Sequence, residues 1–267
     1  MSNWFTSYGA GRKRMTRYLV PLSAICLLLC GFAVAQEPQA ADDEADAKKI
    51  SWGYEADYNG KYVWHGIAYS QGAVLQPSVW ATAGTATVTA WANRTLEAVD
   101  GASLNEVDYT LSWESNWRDA TIEPSLQVYT YPGQVDSPST AEAGLKITWP
   151  VGRFSLFTTQ TVDITEYAGA YFGDIGMSYE KELHPNTGME CSASLGWASA
   201  KFNETYIGPH ISALNVASLD IGLTHTVKSG FYLRPHVSFT RILNGTLRDA
   251  VDDPDIVNLG IAVGMEF

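Results

Sequence analysis

Residues 257–267 read Val-Asn-Leu-Gly-Ile-Ala-Val-Gly-Met-Glu-Phe, and apolar residues alternate with small or polar ones throughout this stretch. Successive side chains of a β-strand point to opposite faces of the sheet. One face of this segment would therefore carry only apolar side chains, namely Val257, Leu259, Ile261, Val263, Met265 and Phe267. The opposite face would carry Asn258, Gly260, Ala262, Gly264 and Glu266. The stretch predicts a strand with one oily face that runs to an aromatic residue.

The same period of two continues upstream as far as residue 50, with Gly, Pro, Asn and Asp between the alternating segments. Only 17% of the residues are charged and aromatic residues are frequent, which favours strands over a helical bundle or disorder. The pattern predicts an all-β fold of about twelve strands, within a range of about ten to fourteen. The predicted strands are 50–66, 73–83, 86–95, 104–117, 121–131, 141–149, 153–163, 168–183, 187–198, 214–228, 231–242 and 256–267.

The connections between these strands alternate in length. Tight turns are predicted after the even-numbered strands, whereas the connections after the odd-numbered strands are mostly longer. A transmembrane antiparallel up-and-down β-barrel has this alternation of short turns and long loops. Closure of the sheet also gives every backbone amide a partner, as lipid requires. We therefore expect residues 50–267 to form such a barrel. The alternative is a secreted β-sandwich, in which the oily faces would pack against each other.

The beginning of the chain has the features of an export signal. Basic residues within 12–17 precede the apolar run 18–32, and Ala33-Val34-Ala35 follows. This order predicts a signal peptide, 1–35, that is cleaved after Ala35. A membrane anchor is an alternative, although the run is short for a spanning helix. A lipoprotein signal at Cys30 is another, although Leu29 is larger than the usual preceding residue. Residues 36–49 predict a short, disordered acidic linker.

The net charge and the cysteine content exclude several functions. The charge of the chain is −12, and it becomes −16 after cleavage because four basic residues and no acidic ones leave with the signal peptide. Binding to nucleic acid is not expected, since phosphate contacts need a basic face. Cys191 alone would remain in the mature chain, so we expect neither an internal disulfide nor a cysteine-based metal cluster. No phosphate-binding glycine loop occurs, and no cofactor or metal is expected.

Three short motifs resemble the TorF family of porins. The stretch 62–67, Tyr-Val-Trp-His-Gly-Ile, is similar to the aromatic first-strand motif of that family, which ends in Arg-Gly-Ile or Arg-Gly-Val. The resemblance continues in 90–93, Ala-Trp-Ala-Asn, and in 106–109, Glu-Val-Asp-Tyr. His65 stands where the family usually has arginine, which puts the role of that arginine in doubt here. The resemblance implies an outer-membrane barrel that acts as a channel.

Polar and charged side chains on the wet faces of the predicted strands would line the lumen. Rings of carboxylates concentrate cations in a water-filled pore, and acids outnumber bases in this set. The predicted pore-lining residues are Glu55, Asp57, His65, Glu106, Asp108, Glu114, Glu142, Lys146, Asp174, Glu190, Asp220, Arg234 and His236. These acids could equally form internal ion pairs with Lys146 and Arg234, because the inner face of a barrel needs polar residues in any case.

Together these features lead us to expect a porin of the bacterial outer membrane for the passive diffusion of small solutes, with an acidic lumen that prefers cations. The alternatives are a structural or adhesive barrel without transport and, with less support, a barrel lipid hydrolase. None of the histidines lies in a serine-hydrolase motif, so neither catalytic residues nor enzymatic activity are expected. The expected partners are outer-membrane lipid, small solutes, and the barrel-assembly machinery, which would recognise the C-terminal strand at Phe267.

Overall fold

The computed structural model describes residues 50–96, 104–134, 137–228 and 230–267. These residues form an antiparallel β-sheet that closes on itself, with two short helices in its connections. The fold is the all-β antiparallel barrel that the alternating segments predict. The predicted signal peptide, 1–35, and the predicted linker, 36–49, lie outside the described residues.

Twelve strands build the wall of the barrel. The fourth strand is interrupted at Glu114, and both of its parts pair with the fifth strand. The strands are β1 (Ile50–Asn59), β2 (Val74–Ala83), β3 (Ala86–Thr95), β4 (Leu104–Trp113 and Ser115–Trp117), β5 (Ala120–Thr130), β6 (Thr140–Val151), β7 (Phe154–Asp163), β8 (Tyr171–His184), β9 (Thr187–Ala198), β10 (Ala213–Lys228), β11 (Phe231–Ile242) and β12 (Asp255–Glu266).

Each strand pairs with the strand before it and the strand after it, and β12 pairs with β1 to close the sheet. In this closing pair Tyr58 lies opposite Ile261, while Tyr109 lies opposite Val128 in the pairing of β4 with β5. All the pairings are antiparallel, so the topology is up-and-down. Closure provides partners within the wall for the backbone amides that an open sheet would leave at its edges.

The predicted strand boundaries agree with the observed ones to within a few residues, except in the first strand. The alternation predicts a strand over 50–66, but β1 ends at Asn59. Beyond it, Val63–Trp64 pairs with Ile67–Ala68 in a small separate hairpin. His65 and Gly66 form its tip with φ angles of 48° and 84°, which extended backbone does not adopt. The prediction of one long first strand is therefore wrong.

Three prolines lie within strands without shifting the strand register: Pro77, Pro124 and Pro235. Pro77 illustrates the arrangement. Between β2 and β3, paired positions stop at Leu75 and Arg94 and resume in the same register at Ser78 and Trp91. The pairing beside Pro124 and the pairing beside Pro235 have a similar gap, in each case on one side of the strand. Because proline has no amide hydrogen, each marks an interrupted ladder rather than a bulge or a strand end.

Short turns connect the strands at one end of the barrel, and long connections join them at the other. The short turns include 84–85, 118–119, 152–153 and 185–186, and we call this end the turn end. The long connections define the loop end and include helix α1 (Ala200–Tyr206) and helix α2 (Gly245–Arg248). This alternation confirms the prediction from connection lengths. In the described part of the chain, no helix is long and apolar enough to cross a bilayer.

An apolar belt covers the outside of the barrel. On β12, the outward Val257 and Leu259 are 60% and 65% exposed, whereas the inward Ile256 and Ala262 are buried. Soluble proteins rarely expose a continuous apolar surface of this kind, and lipid tails would cover it. Exposed aromatic residues form a band near the turn end, as in an interfacial girdle: Trp52, Tyr54, Trp113, Trp149, Phe154, Phe231 and Phe267. The β-sandwich alternative is wrong, because it would bury these side chains between two sheets.

Candidate functional site

The predicted pore-lining residues lie on the inner face of the barrel, with one exception. On each strand they occupy positions that alternate with the exposed apolar ones. This holds for Glu55, Asp57, Glu106, Asp108, Glu114, Glu142, Lys146, Asp174, Glu190, Asp220, Arg234 and His236. His65 instead lies at the tip of the small hairpin between β1 and β2. The prediction that His65 lies on the first strand is therefore wrong.

A buried ion pair occupies the part of the lumen nearer the turn end. Arg234 Nη2 lies 2.7 Å from both carboxylate oxygens of Glu55, and the Tyr232 hydroxyl donates to Glu55 Oε2 at 2.7 Å. The two charged side chains are only 5% and 7% exposed. A buried charge pair with additional hydrogen bonds holds both side chains in one position. The Glu55 carboxylate is therefore neutralised by the protein itself.

Other acids in this region also face basic groups. His236 Nε2 lies 3.0 Å from Asp57 Oδ1. Lys146 is close enough to Asp174 and Glu190 to interact electrostatically with both. Glu55, Asp57, Asp174 and Glu190 thus each have a basic group nearby.

Toward the loop end, three inward acids form what we call the acidic wall: Glu106 and Asp108 on β4 and Glu142 on β6. They are 6%, 1% and 4% exposed, and no ion pair among the described residues includes them. Their neighbours are neutral donors. The Tyr129 hydroxyl donates to Glu142 Oε2 at 2.7 Å, and the Gln127 amide donates to Asp108 Oδ2 at 3.3 Å.

Residues 61–70 between β1 and β2 fold back into the barrel, and we call them the inner hairpin. A Cβ added at Gly66 would lie 2.8 and 2.9 Å from side-chain atoms of Val216 and Ile242, so the tip of the hairpin packs against β10 and β11. The His65 ring lies against Phe172, with ring centroids 3.7 Å apart. Burial lowers the pKa of His65 well below its usual value, so the ring is neutral at pH 7.

The inner hairpin belongs to an apolar cluster, which we call the plug. Trp64 contacts several of its aromatic neighbours, with ring centroids 5.6 Å from Phe202 and 4.9 Å from Tyr206. The buried members are Tyr62, Trp64, Val74, Trp91, Ala170, Phe172, Ala198, Phe202, Val216, Ile242 and Leu247. Tyr62 and Trp64 are each only 6% exposed. The plug therefore fills much of the lumen at the loop end.

A cavity of about 40 Å³ remains between the plug and the acidic wall. Its lining contains five tyrosines, one tryptophan and one acid: Tyr62, Trp64, Tyr69, Glu106, Tyr129, Tyr131 and Tyr206. A water molecule needs roughly 10–15 Å³ by the same measure, so the cavity could hold a few waters or a small ligand.

Polar contacts fasten the inner hairpin at its base. Lys61 Nζ lies 2.5 Å from Asp253 Oδ2 in the connection between β11 and β12, and it also donates to Gln71. The hydrogen bond from Lys61 lowers the pKa of Asp253 below its usual value. The Lys61 amide donates to Asn258 at 2.9 Å. The hairpin is thereby joined to the last loop and the last strand.

Sequence reasoning did not predict the plug. Trp91, a member of the plug, breaks the outward apolar pattern because it points inward and is 7% exposed. This out-of-phase aromatic residue was the available signal. The two helices also contribute Phe202 and Leu247 to the plug. Their N-caps carry serine and asparagine side chains that accept amide hydrogens, but helices this short are difficult to predict from caps alone.

The closed barrel, its apolar outer belt and its polar inner face define a transmembrane β-barrel. Among solved structures, the KdgM porin has a similar fold, with a TM-score of 0.50 and 10% identity over 81% of this chain and 99% of that chain. The NanC porin matches with a TM-score of 0.50 and 9% identity over 81% of this chain and 98% of that chain. At these identities the likeness shows the fold, which is that of porin-like barrels. No protein-family model and no curated protein matches this chain.

Proposed function

We propose that this protein is a channel of the bacterial outer membrane through which small solutes diffuse, with a lumen that favours cations over anions. The observation that carries this proposal is the acidic wall. Glu106, Asp108 and Glu142 line the inner face of a closed barrel without a basic partner among the described residues. Carboxylates in a narrow lumen attract cations and repel anions, because the surrounding protein focuses their field.

The comparisons support transport as the class of function. The two structural neighbours reported above are named porins, and they have the same closed barrel. The three motifs that resemble the TorF family also come together at the loop end. Tyr62 lies near Trp91, with ring centroids 5.8 Å apart, and within hydrogen-bonding reach of Glu106. We include membership of the TorF family in the proposal on this basis.

The proposed location follows from the outer belt and the predicted export signal. The apolar outer face would contact outer-membrane lipid, and the signal peptide 1–35 would carry the chain across the inner membrane. The last strand, with its outward apolar residues and Phe267, would be the segment that the barrel-assembly machinery recognises.

The proposal can be tested by measuring currents in planar bilayers under a KCl gradient. We expect conductance steps, and a reversal potential whose sign shows that cations pass more readily than anions. Glu106→Gln, Asp108→Asn and Glu114→Gln together should move that potential toward zero, because they remove inward negative charge. Glu204→Gln, at an exposed position of α1, is the control and should leave the reversal potential unchanged. A folded protein without conductance, or with anion preference that survives the three substitutions, would contradict the proposal.

The plug favours a second candidate, a barrel with a structural role and no transport. It places eleven buried side chains in the loop end of the lumen, which would obstruct solute passage. The same bilayer measurement separates the two candidates. A purified barrel that inserts and resists unfolding but never conducts would favour the structural role.

A further inference from the structure

We propose that ions cross the loop end of the lumen on one side of the plug only, through the cavity that Glu106 borders, and that this passage admits small inorganic cations but excludes larger organic ones. The inference rests on the proposed function, because it assigns a route and a size limit to the proposed channel. Chemical labelling can follow the route without any current. The inference can therefore fail while the channel stands.

On one side, the plug packs directly against the wall of the barrel. A Cβ added at Gly66 would lie 2.8 and 2.9 Å from side-chain atoms of Val216 on β10 and Ile242 on β11. Val216 is 5% exposed and Ile242 is fully buried. The His65 ring lies against Phe172 on β8, with ring centroids 3.7 Å apart. Apolar surfaces in such close contact leave no space for water, so ions do not pass along these strands.

On the opposite side, the cavity separates the plug from β4 and β5, which lie six strands away from β10 and β11 in the ring of twelve. Glu106 on β4 and Tyr129 on β5 form its outer wall. The cavity is not fully enclosed, and Tyr69 in its lining is 48% exposed. Its volume of about 40 Å³ has room for more than one water molecule, since each needs roughly 10–15 Å³. Water can therefore enter beside the plug on this side.

From the cavity toward the turn end, the inward side chains of β4 and β5 are polar. They alternate with exposed apolar residues such as Tyr109, Leu111 and Leu126. Six of them form what we call the polar track: Asp108, Thr110 and Ser112 on β4, and Gln127, Ser125 and Glu123 on β5. Hydroxyl, amide and carboxylate oxygens can replace part of the water around an ion. The cavity and the polar track together form a hydrophilic route along one wall of the barrel.

The lining of the cavity determines the charge of the ion. Glu106 is the one charged side chain among the described residues that form it. The other lining residues are Trp64 and five tyrosines, and the faces of such rings attract cations. A carboxylate in so narrow a space repels anions strongly, because little water screens its charge. We therefore assign charge selection beside the plug to Glu106.

The volume of the cavity determines the size of the ion. About 40 Å³ accommodates a potassium or ammonium ion together with a few of its water molecules. Either ion can lose the rest of its hydration shell in exchange for the oxygens of the route. Tetraethylammonium carries four ethyl groups that it cannot lose, so it would have to force the aromatic rings apart. The passage should therefore separate cations by size.

Cysteine labelling tests the route. The variants Glu106→Cys and Val216→Cys are matched in burial, since the native side chains are 6% and 5% exposed, but they lie on opposite sides of the plug. The probe is 2-aminoethyl methanethiosulfonate, a small cationic thiol reagent, added to the refolded protein in detergent micelles. Peptide mass spectrometry follows each cysteine separately. Glu106→Cys should react at least about tenfold faster, because a thiol without contact with water reacts only when the structure opens locally.

Currents in planar bilayers test the size limit. The conductance should be similar in potassium chloride and ammonium chloride, and at least about tenfold lower in tetraethylammonium chloride. Tyr131→Ala should raise the tetraethylammonium conductance several-fold, because it removes one ring from the lining of the cavity. Tyr109→Ala is the matched control, since it removes the same side chain from the outer face of β4, where Tyr109 is 52% exposed. It should leave this conductance unchanged.

Three results in a conducting protein would overturn the inference and leave the proposed channel intact. Equally fast labelling of both cysteines would mean that the plug is loosely packed on every side. Slow labelling of Glu106→Cys would mean that ions take another path, and equal conductance of potassium and tetraethylammonium would mean a wider one. A folded protein that never conducts overturns both proposals. If Glu106→Cys does not fold, Tyr129→Cys replaces it, because Tyr129 lies in the same lining and is 5% exposed.

Discussion

Arg234 on β11 and Glu55 on β1 meet across the intervening strand β12, with Arg234 Nη2 2.7 Å from Glu55 Oε1. Between them β12 presents Ala262, which lies opposite Arg234, and Gly264, which lies opposite Tyr232 and Glu55. A large side chain at either position would occupy the space in which the ion pair forms. The small inner residues of the last strand therefore make room for the long polar side chains of its neighbours.

Removing one member of this ion pair should destabilise the barrel by about 3–5 kcal/mol, because the remaining charge would stay buried without its partner. The variants are Glu55→Gln and Arg234→Met, and the measurement is urea unfolding in lipid vesicles. The double variant should regain most of the lost stability, since it leaves neither charge buried.

Arg241→Met is the matched control for Arg234→Met. Arg241 pairs with Asp255 at 3.5 Å, but both side chains are more than half exposed. Solvent screens such a pair, so this substitution should change the stability little. Equal losses of stability for the two arginine substitutions would show that burial of the Arg234 ion pair does not contribute to stability.

Gly66→Ala should destabilise the protein by about 2 kcal/mol or more, through strain and through crowding. The φ angle of Gly66 is 84°, and an added Cβ would lie 2.8 Å from a Val216 methyl group. Gly133→Ala is the control, because Gly133 has a similar φ angle of 77° but open space around its Cβ position. It should cost about 1 kcal/mol, from the backbone alone. Unfolding experiments that gave the same loss for both would remove the evidence for a closely packed hairpin tip.

The sequence was sufficient to predict the wall of the barrel but not its contents. Lipid-facing positions such as Leu259 follow a local period of two, so neighbouring residues reveal them. Inward aromatic residues depend on distant partners. Phe157 can point inward because Gly176, its partner on β8, leaves space for the ring. The inner hairpin likewise depends on contacts with β10 and β11. The acids of the lumen could be named in advance, but which of them would lack basic partners depends on which strands become neighbours.

Trp64→Ala should increase the conductance of the proposed channel several-fold, because it removes the ring that joins the inner hairpin to Phe202 and Tyr206. Single-channel recording in planar bilayers measures this directly. Trp117→Ala is matched in chemistry but lies at the turn end, where the ring is 60% exposed, and it should leave the conductance unchanged. An unchanged conductance in Trp64→Ala would mean that the plug does not limit passage.

Ile261→Arg and Val227→Arg test whether the outer belt faces hydrocarbon. Ile261 lies near the middle of β12 and is 42% exposed, while Val227 lies near the turn end of β10 and is 55% exposed. In a bilayer the cost of arginine depends on depth, so we expect about 2–4 kcal/mol for Ile261→Arg and about 0–1 kcal/mol for Val227→Arg. Urea titrations of folding into vesicles measure both values.

The difference in stability between these two variants is the decisive measurement, because both positions are exposed to a similar degree. In water, an arginine at either site would keep its charge solvated and change the stability little. Only an apolar medium around the middle of the barrel makes Ile261→Arg much more destabilising than Val227→Arg. Equal and small losses at the two positions would mean that water surrounds the belt, and the membrane location would then have to be rejected.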